Sequence, residues 1–285
     1  MRESGPVADG YEYLDSGNGR RLERFGATVV DRPAPGALHS PGLSAASWRE
    51  AALHFEKGRG WNGVQPEEWQ VRFGPARLRI RPASGGQLGV FPEHAALCDK
   101  VAAAVHEHFP EGGLRALNLF AHTGLATLRI AASPGVAETV HVDAARSAVN
   151  AARENADLSG IGDARIRWLT DDVLQFVRRE IRRGRRYGVI VVDPPSFGKG
   201  GKSGGEWKFR ENIGALMDAM AEVAEERALL LLSAHGEGLV PDDLARLARK
   251  RLRRIGRVET GESILRSNSG GAPLRLGAFV LARAG

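Results

Sequence analysis

An α/β fold preceded by a small β-rich appendage is what this sequence predicts, and three observations carry the expectation. After Phe91, apolar runs of strand length alternate with helical patterns at the spacing of repeated βα units. One of these runs, Val189-Ile190-Val191-Val192 ahead of Asp193, is β-branched on both faces, as a strand covered on both sides of a parallel sheet must be. Before Gly89 the organisation differs, because Pro and Gly recur in DRPAPG and HSPG and helical periodicity is lost. The expected domains are 1–89, the N-terminal β-rich appendage, and 90–285, the α/β domain.

Within the appendage the clearest strands are Gln70 to Phe73 and Ala76 to Arg81, where Val71 and Phe73, then Leu78 and Ile80, alternate with polar residues around Gly74-Pro75. The aromatics Trp48, Phe55, Trp61 and Trp69 are read as the core of this small unit rather than as a base-stacking surface. In the second part, Glu93 to Phe109 carries Ala96, Leu97, Val101, Ala104 and Val105 at helical spacing and ends before Pro110. Strands then follow at Leu114 to Phe120, Glu138 to Asp143, Ala164 to Leu169, Tyr187 to Asp193 and Ala228 to Ser233. The helices between and after them are Leu125 to Ala132, Arg146 to Leu158, Val173 to Arg183, Ile213 to Ala224 and Asp242 to Arg251. Two closing strands fall near Ile255 to Ile264 and Leu274 to Ala282.

Composition narrows the classes. Hydrophobic residues at 42% and charged residues at 26% suit an ordinary globular chain and exclude a disordered or collagen-like one. The single cysteine, Cys98, permits no intramolecular disulfide and no cysteine-based zinc framework, so the expected compartment is the cytoplasm and no metal is expected. Neither a signal peptide nor an apolar run of membrane-spanning length is visible, so no membrane partner is expected. The net charge of +6 suggests an anionic partner.

In an open parallel sheet, ligands bind outside the carboxyl ends of the strands, so the residues that matter sit where each strand passes into its loop. Asn118-Leu119-Phe120-Ala121-His122-Thr123-Gly124 holds one glycine and lacks the G-x-G-x-x-G of a pyrophosphate site. A nucleoside ligand without a pyrophosphate needs less glycine. Asp143 follows Gly124 by nineteen positions, where a carboxylate can accept from ribose hydroxyls; it can equally cap the following helix. Thr170-Asp171-Asp172-Val173 offers a carboxylate to an adenine amino group or, again, a helix cap. In Asp193-Pro194-Pro195-Ser196-Phe197 two prolines fix φ and remove two donors, leaving a rigid turn whose carbonyls and acid can face a polar group while Phe197 stacks on a planar substrate. The stretch Gly198 to Gly205 reads as a basic, flexible lid without Walker spacing.

NLFAHTG, HVD, TDDV and DPPSF, in this order on successive strands, resemble the class I, Rossmann-like S-adenosylmethionine-dependent methyltransferases. More narrowly, the chain is similar to the group of bacterial large-subunit rRNA cytosine-5 and guanine-7 methyltransferases. The resemblance covers Phe91 to the C-terminus and implies a mostly parallel seven-stranded sheet with an antiparallel C-terminal hairpin. It implies S-adenosyl-L-methionine as cofactor, its methionine part held by Asn118, Phe120, Thr123 and Gly124, its ribose hydroxyls by Asp143 and its adenine by Asp172, with Ala144, Asp171 and Val173 also cofactor-binding. Phe91 lies in the upstream turn Gly89 to His94 that contacts the cofactor in relatives, and Glu93-His94 departs there from the commoner Asp-Gln-Arg. The implied catalytic residues are Asp193, Pro194, Pro195 and Phe197.

Cytosine-5 transfer needs a covalent nucleophile, and relatives of that kind carry a cysteine after the fifth strand, where this chain reads Leu232-Ser233-Ala234-His235-Gly236. Cys98 is read as a small core residue, and His235 as structural rather than as a base. The reading is therefore direct transfer to nitrogen or oxygen on an RNA base, ribosomal RNA first. The alternatives are a small molecule or protein as acceptor, or a non-catalytic nucleic-acid-binding module on this fold. Two basic clusters, Arg178 to Arg186 and Arg249 to Arg254, either hold RNA phosphates or complement helix dipoles.

Overall fold

The computed structural model describes residues 9–161, 165–199, 206–236, 240–252 and 255–285, in two compact units. The first comprises Met1–Glu93 with Ile264–Leu276, the second His94–Ser263 with Gly277–Gly285.

The first unit begins with β1 (Tyr11–Gly17), β2 (Arg20–Phe25) and β3 (Thr28–Pro33). The Asn18-Gly19 pair between β1 and β2 has φ of 52° and 77°, the backbone that a two-residue hairpin turn requires. The short helix α1 (Ala45–Arg49), β4 (Leu53–Glu56) and β5 (Gly60–Gly63) follow and complete a five-stranded sheet in the order β1-β2-β3-β4-β5. The expected hairpin is present as β6 (Gln70–Phe73) and β7 (Ala76–Arg79). Of the four aromatics, Phe55 and Trp69 are buried, and Trp48 and Trp61 are half-buried.

Charge inside this unit is compensated. Glu23 accepts from Arg32 Nε at 2.6 Å and Nη2 at 3.2 Å and from the Tyr11 hydroxyl at 2.9 Å, with Glu23 and Arg32 both buried. Asp15 accepts backbone N–H groups of Ser16, Gly42, Leu43 and Ala272 at 2.7–3.1 Å and the Trp48 indole N–H at 2.9 Å. Burial would raise its carboxyl pKa, but these donors hold it below the ordinary value.

The second unit runs α2 (His94–His108), β8 (Leu114–Leu119), α3 (Leu125–Ala131), β9 (Val136–Asp143), α4 (Arg146–Leu158), β10 (Ile166–Thr170) and α5 (Val173–Arg182). It continues with β11 (Tyr187–Val192), β12 (Phe197–Lys199), β13 (Glu206–Lys208), α6 (Phe209–Val223), β14 (Ala224–His235), α7 (Pro241–Arg251), β15 (Ile255–Leu265) and β16 (Leu274–Ala284), the last two residues of β15 and the first three of β16 belonging to the first unit. Its main sheet has the order β10-β9-β8-β11-β14-β16-β15, with β16 antiparallel to β14 and the first five strands parallel.

Period-two alternation sends successive residues of the central strands to opposite faces. Leu117 and Leu119, Ile190 and Val192, and Leu230 and Leu232 pack with α5, α6 and α7. Ala116, Val189, Val191, Leu229 and Leu231 pack with α2 and α3. Cys98 sits in this second layer, where burial pushes its thiol up to about 12. No helix of the described residues is long and apolar enough to cross a membrane.

Three stretches differ from the sequence expectation. The helix α6 starts at Phe209 rather than Ile213, because its first turn packs into the core through Phe209. The strand β14 begins at Ala224, its Ala224–Arg227 stretch lying ahead of the fully buried run. Part of the expected lid is ordered, since Phe197–Lys199 pairs antiparallel with Glu206–Lys208. The rest of that lid, 200–205, lies outside the described residues, as do Ala164 of an expected strand and Arg253 and Arg254 of the second basic cluster.

Removing one partner of a buried ion pair strands the other charge. Glu23→Ala should therefore destabilise the first unit by about 3–5 kcal/mol, read as lost hydrogen-exchange protection in β2 and β3. In the second unit, His141 is fully buried on β9, its Nδ1 2.8 Å from the Thr127 hydroxyl. Burial lowers its pKa from 6.5 to about 3. The unfolded chain thus takes up a proton below 6.5 that the folded one refuses, so this contribution is complete above pH 6.5 and lost as pH falls toward 3. Denaturant titrations across that range should show a shallower pH dependence in His141→Gln than in wild type, by up to about 1.4 kcal/mol per pH unit.

Candidate active site

The strand order changes direction between β8 and β11: β9 and β10 lie on one side, β14 on the other. A crevice forms outside the carboxyl ends of strands at such a point, and the loops after β8 and β11 both open there.

The loop after β8 is strained. Phe120 and His122 have φ of 55° and 48°, and Gly124 has 94°. Side chains rarely adopt this backbone, and it persists only where the surroundings enforce it. The Asp143 carboxylate at the end of β9 supplies part of that enforcement, accepting His122 N–H through Oδ2 at 2.8 Å and Ala145 N–H through Oδ1 at 2.8 Å. Asn155 of α4 donates to the Thr123 carbonyl at 2.9 Å, and a Cβ on Gly124 would lie 2.9 Å from the Ala152 Cβ. Only glycine fits at 124.

The sequence-predicted residues take distinct positions. Asn118 is buried and donates to Thr127 Oγ1 at 2.8 Å, beneath the loop. Phe120 is half-buried, 4.7 Å from the Trp207 ring. Asp143 and Ala144 are half-buried beside the loop, and each Asp143 oxygen keeps a lone pair beyond its amide bond. Asp172 caps α5 through Gln175 N–H at 2.9 Å, Asp171 pairs with Arg179, and Val173 is buried in the first turn of α5. Asp171 N–H also donates to the Asp143 carbonyl at 3.0 Å, which joins the two acidic loop ends. Phe91 is half-buried and belongs to the first unit.

After β11, Pro194 is buried and Pro195 exposed, and the Pro195 carbonyl accepts the Trp207 indole N–H at 2.7 Å. Phe197 is 74% exposed, so its ring is open to a stacking partner. It lines a pocket of about 300 Å³ with Ser196, Lys208, Phe209, Arg210 and His235. Asp193 is the polar centre of this end. Its Oδ1 accepts from Ser233 Oγ at 2.5 Å and lies 3.0 Å from His235 Nε2, while its Oδ2 lies 3.1 Å from His94 Nε2. Burial would raise this carboxyl, but the charges and hydrogen bonds of His94 and His235 hold it well below the carboxylate range.

His94, Ser233, Trp207 and Phe209 are the members that sequence reasoning missed, and His235 is drawn in from its structural reading. Ser233 and His235 were recoverable, since period two on β14 puts both on one face. His94 carried only its departure from the familiar turn.

The strained loop, the single glycine and an Asp143 with spare lone pairs suit a nucleoside whose ribose hydroxyls donate to that carboxylate. Residues 65–250 match the model of a family described as S-adenosylmethionine-dependent methyltransferase. Among curated proteins, a ribosomal RNA large subunit methyltransferase K of Neisseria meningitidis is 31% identical over 156 residues, covering 55% of this chain and 42% of its own. A ribosomal RNA large subunit methyltransferase K/L of Methylococcus capsulatus is 32% identical over 129 residues, covering 45% of this chain and 17% of its own. The chain thus spans less than half the length of either relative. A crystal structure of a SAM-dependent methyltransferase from Agrobacterium tumefaciens superposes with a TM-score of 0.89 at 32% identity, over 98% of this chain and 92% of that one. With a family match across most of its length and so complete a structural counterpart, the chain belongs to the S-adenosylmethionine-dependent methyltransferases.

Proposed function

We propose that this methyltransferase acts in the cytoplasm on a base of an RNA, ribosomal RNA first, by direct transfer without a cysteine nucleophile, with 90–285 as catalytic domain and 1–89 as appendage. The observation that carries the reading is the pocket beside Asp193, where an exposed Phe197 stands with Arg210 and with Lys208, which also pairs with Glu206 and Glu211. The Phe197 ring takes the flat face of a base and the two cations take flanking phosphates. The names of the two ribosomal RNA methyltransferases point the same way. A thiolate on the base is disfavoured because Cys98 is buried among apolar residues with its thiol pushed up to about 12.

When bound, S-adenosylmethionine supplies the activated methyl group. The chain's own part is positioning and electrostatics. Asp143 accepts from the ribose hydroxyls, Phe120, Thr123 and Gly124 shape the cradle above Asn118, and Ala144, Asp171, Asp172 and Val173 border the adenine end. Asp193 Oδ2 and the Pro194 carbonyl accept from an N–H of the acceptor base, while Pro195, pinned by Trp207, keeps the turn rigid. Phe197 stacks on the base.

Methyl-labelled cofactor offered to total RNA, DNA and protein fractions should label RNA. Label confined to protein or small molecules would refute the substrate, and no transfer to any fraction would refute the activity. Phe197→Ala should lower kcat/KM for RNA about 5- to 100-fold with Phe197→Trp restoring most of it, as loss of one base stack predicts. The two aspartates should separate in calorimetry and turnover. Asp143→Ala is expected to weaken S-adenosylhomocysteine binding about tenfold or more, whereas Asp193→Ala should abolish transfer and leave that binding within a few-fold of wild type. Equal effects of both substitutions on cofactor affinity would contradict the assignment.

A further inference from the structure

The arrangement around Asp193 has a feature that methyl transfer does not call for. Three ligand-type atoms converge from three separate elements: His94 Nε2 at the start of α2, His235 Nε2 at the end of β14, and the carboxylate of Asp193 after β11. The two ring nitrogens are 3.2 Å apart, and they lie 3.1 and 3.0 Å from Asp193 Oδ2 and Oδ1.

With a hydrogen on each nitrogen, the carboxylate accepts from both rings, and the two nitrogens stand 3.2 Å apart with no bond between them. A cation can take the place of those two hydrogens, because both imidazole lone pairs and the carboxylate then face one positive charge. The distances also agree with this. Bonds of about 2.0–2.1 Å give ligand–ligand edges of about 3.3 Å in a tetrahedral site and about 2.9 Å in an octahedral one; the nitrogen–nitrogen separation of 3.2 Å falls between them, and each nitrogen reaches one carboxylate oxygen of Asp193, that of His94 reaching Oδ2 and that of His235 reaching Oδ1.

Chemistry and access agree with the geometry. Two imidazoles and one carboxylate form a ligand set for divalent first-row transition ions, and three protein ligands leave coordination positions open. Ser233 donates to Asp193 Oδ1 and so orients a ligand from outside the cluster, as metal ligands are commonly oriented. The side chains of His94, Asp193 and His235 are 13%, 19% and 27% exposed, enough for an ion to reach them.

We infer that His94, Asp193 and His235 form a binding site for one divalent transition-metal ion, zinc being the probe, beside the pocket that His235 also lines. The site joins the start of α2 to the carboxyl ends of β11 and β14, beside the acceptor pocket. It stands independently of the RNA reading, since binding is measured without cofactor or RNA.

The test is equilibrium dialysis of the untagged, chelator-stripped 285-residue chain against zinc chloride, with metal counted per chain and cobalt(II) as a spectroscopic probe. Wild type should take up one zinc saturably and show the d–d absorption of cobalt(II) bound by nitrogen and oxygen. His94→Gln should lose at least tenfold in affinity, and the His94→Ala/His235→Ala double variant at least 100-fold together with the cobalt absorption. Binding of S-adenosylhomocysteine by the variants checks that they fold. Protection of His94 and His235 by zinc against diethylpyrocarbonate, followed by mass spectrometry on wild type, needs no variant and should be seen. Absence of saturable uptake by wild type, equal uptake by folded wild-type and double-variant protein, or unprotected histidines would each overturn the site.

Discussion

Pairing of β8 with β11 is the constraint on which the rest of the second unit depends. The chain lays β8, β9 and β10 outward in one direction and then returns to place β11 on the free edge of β8. Parallel strands need crossover helices, and these cover both faces, so each central strand is apolar on both sides. One opening follows from that arrangement, at the carboxyl ends where the crossovers leave the sheet in opposite directions. Asp193 N–H, 3.4 Å from the Leu119 carbonyl, extends the β8–β11 contact into that opening and links the starts of the two loops.

The polar groups at this edge work against the intrinsic preferences of the chain. The loop after β8 holds two non-glycine residues at positive φ, a cost of order 1–3 kcal/mol each that an isolated peptide would not bear. Anchors from β9 and α4, Asp143 and Asn155, stabilise it in place. Asp143 therefore serves the fold and presents a carboxylate to the crevice with the same two oxygens. The acid after β11 likewise is half-buried, at a cost that Ser233, His94 and His235 offset.

Positive charge is more evenly shared than the clusters of arginine suggest. Arg179 is paired with Asp171, Arg183 with the buried Glu180, and Arg251 with Asp218. Among the described residues, the cations lining the pocket of the proposed acceptor are Lys208, itself paired with Glu206 and Glu211, and Arg210; neither belongs to an arginine cluster.

Much of the α/β half is legible because its signals are local. The Val189–Val192 run and the helical spacing of α2 and α4 depend only on neighbours in sequence, and so does the placement of Asp143 and Asp193 at strand ends. The first five strands were harder to read, since Arg and Glu on β2 and β3 look like surface residues until Arg32 and Glu23 are seen to neutralise each other inside. The Asn18-Gly19 turn is the local signal in this region. By itself, then, the sequence determined the alternation of elements, the direction of the sheet and which acids stand at strand ends, because periodicity and turn residues act over a few positions. Only the tertiary structure decided that Asn118 faces Thr127 beneath the loop, and that His94, Asp193 and His235 meet, because residues up to 141 positions apart are brought together by strand order and not by any local rule.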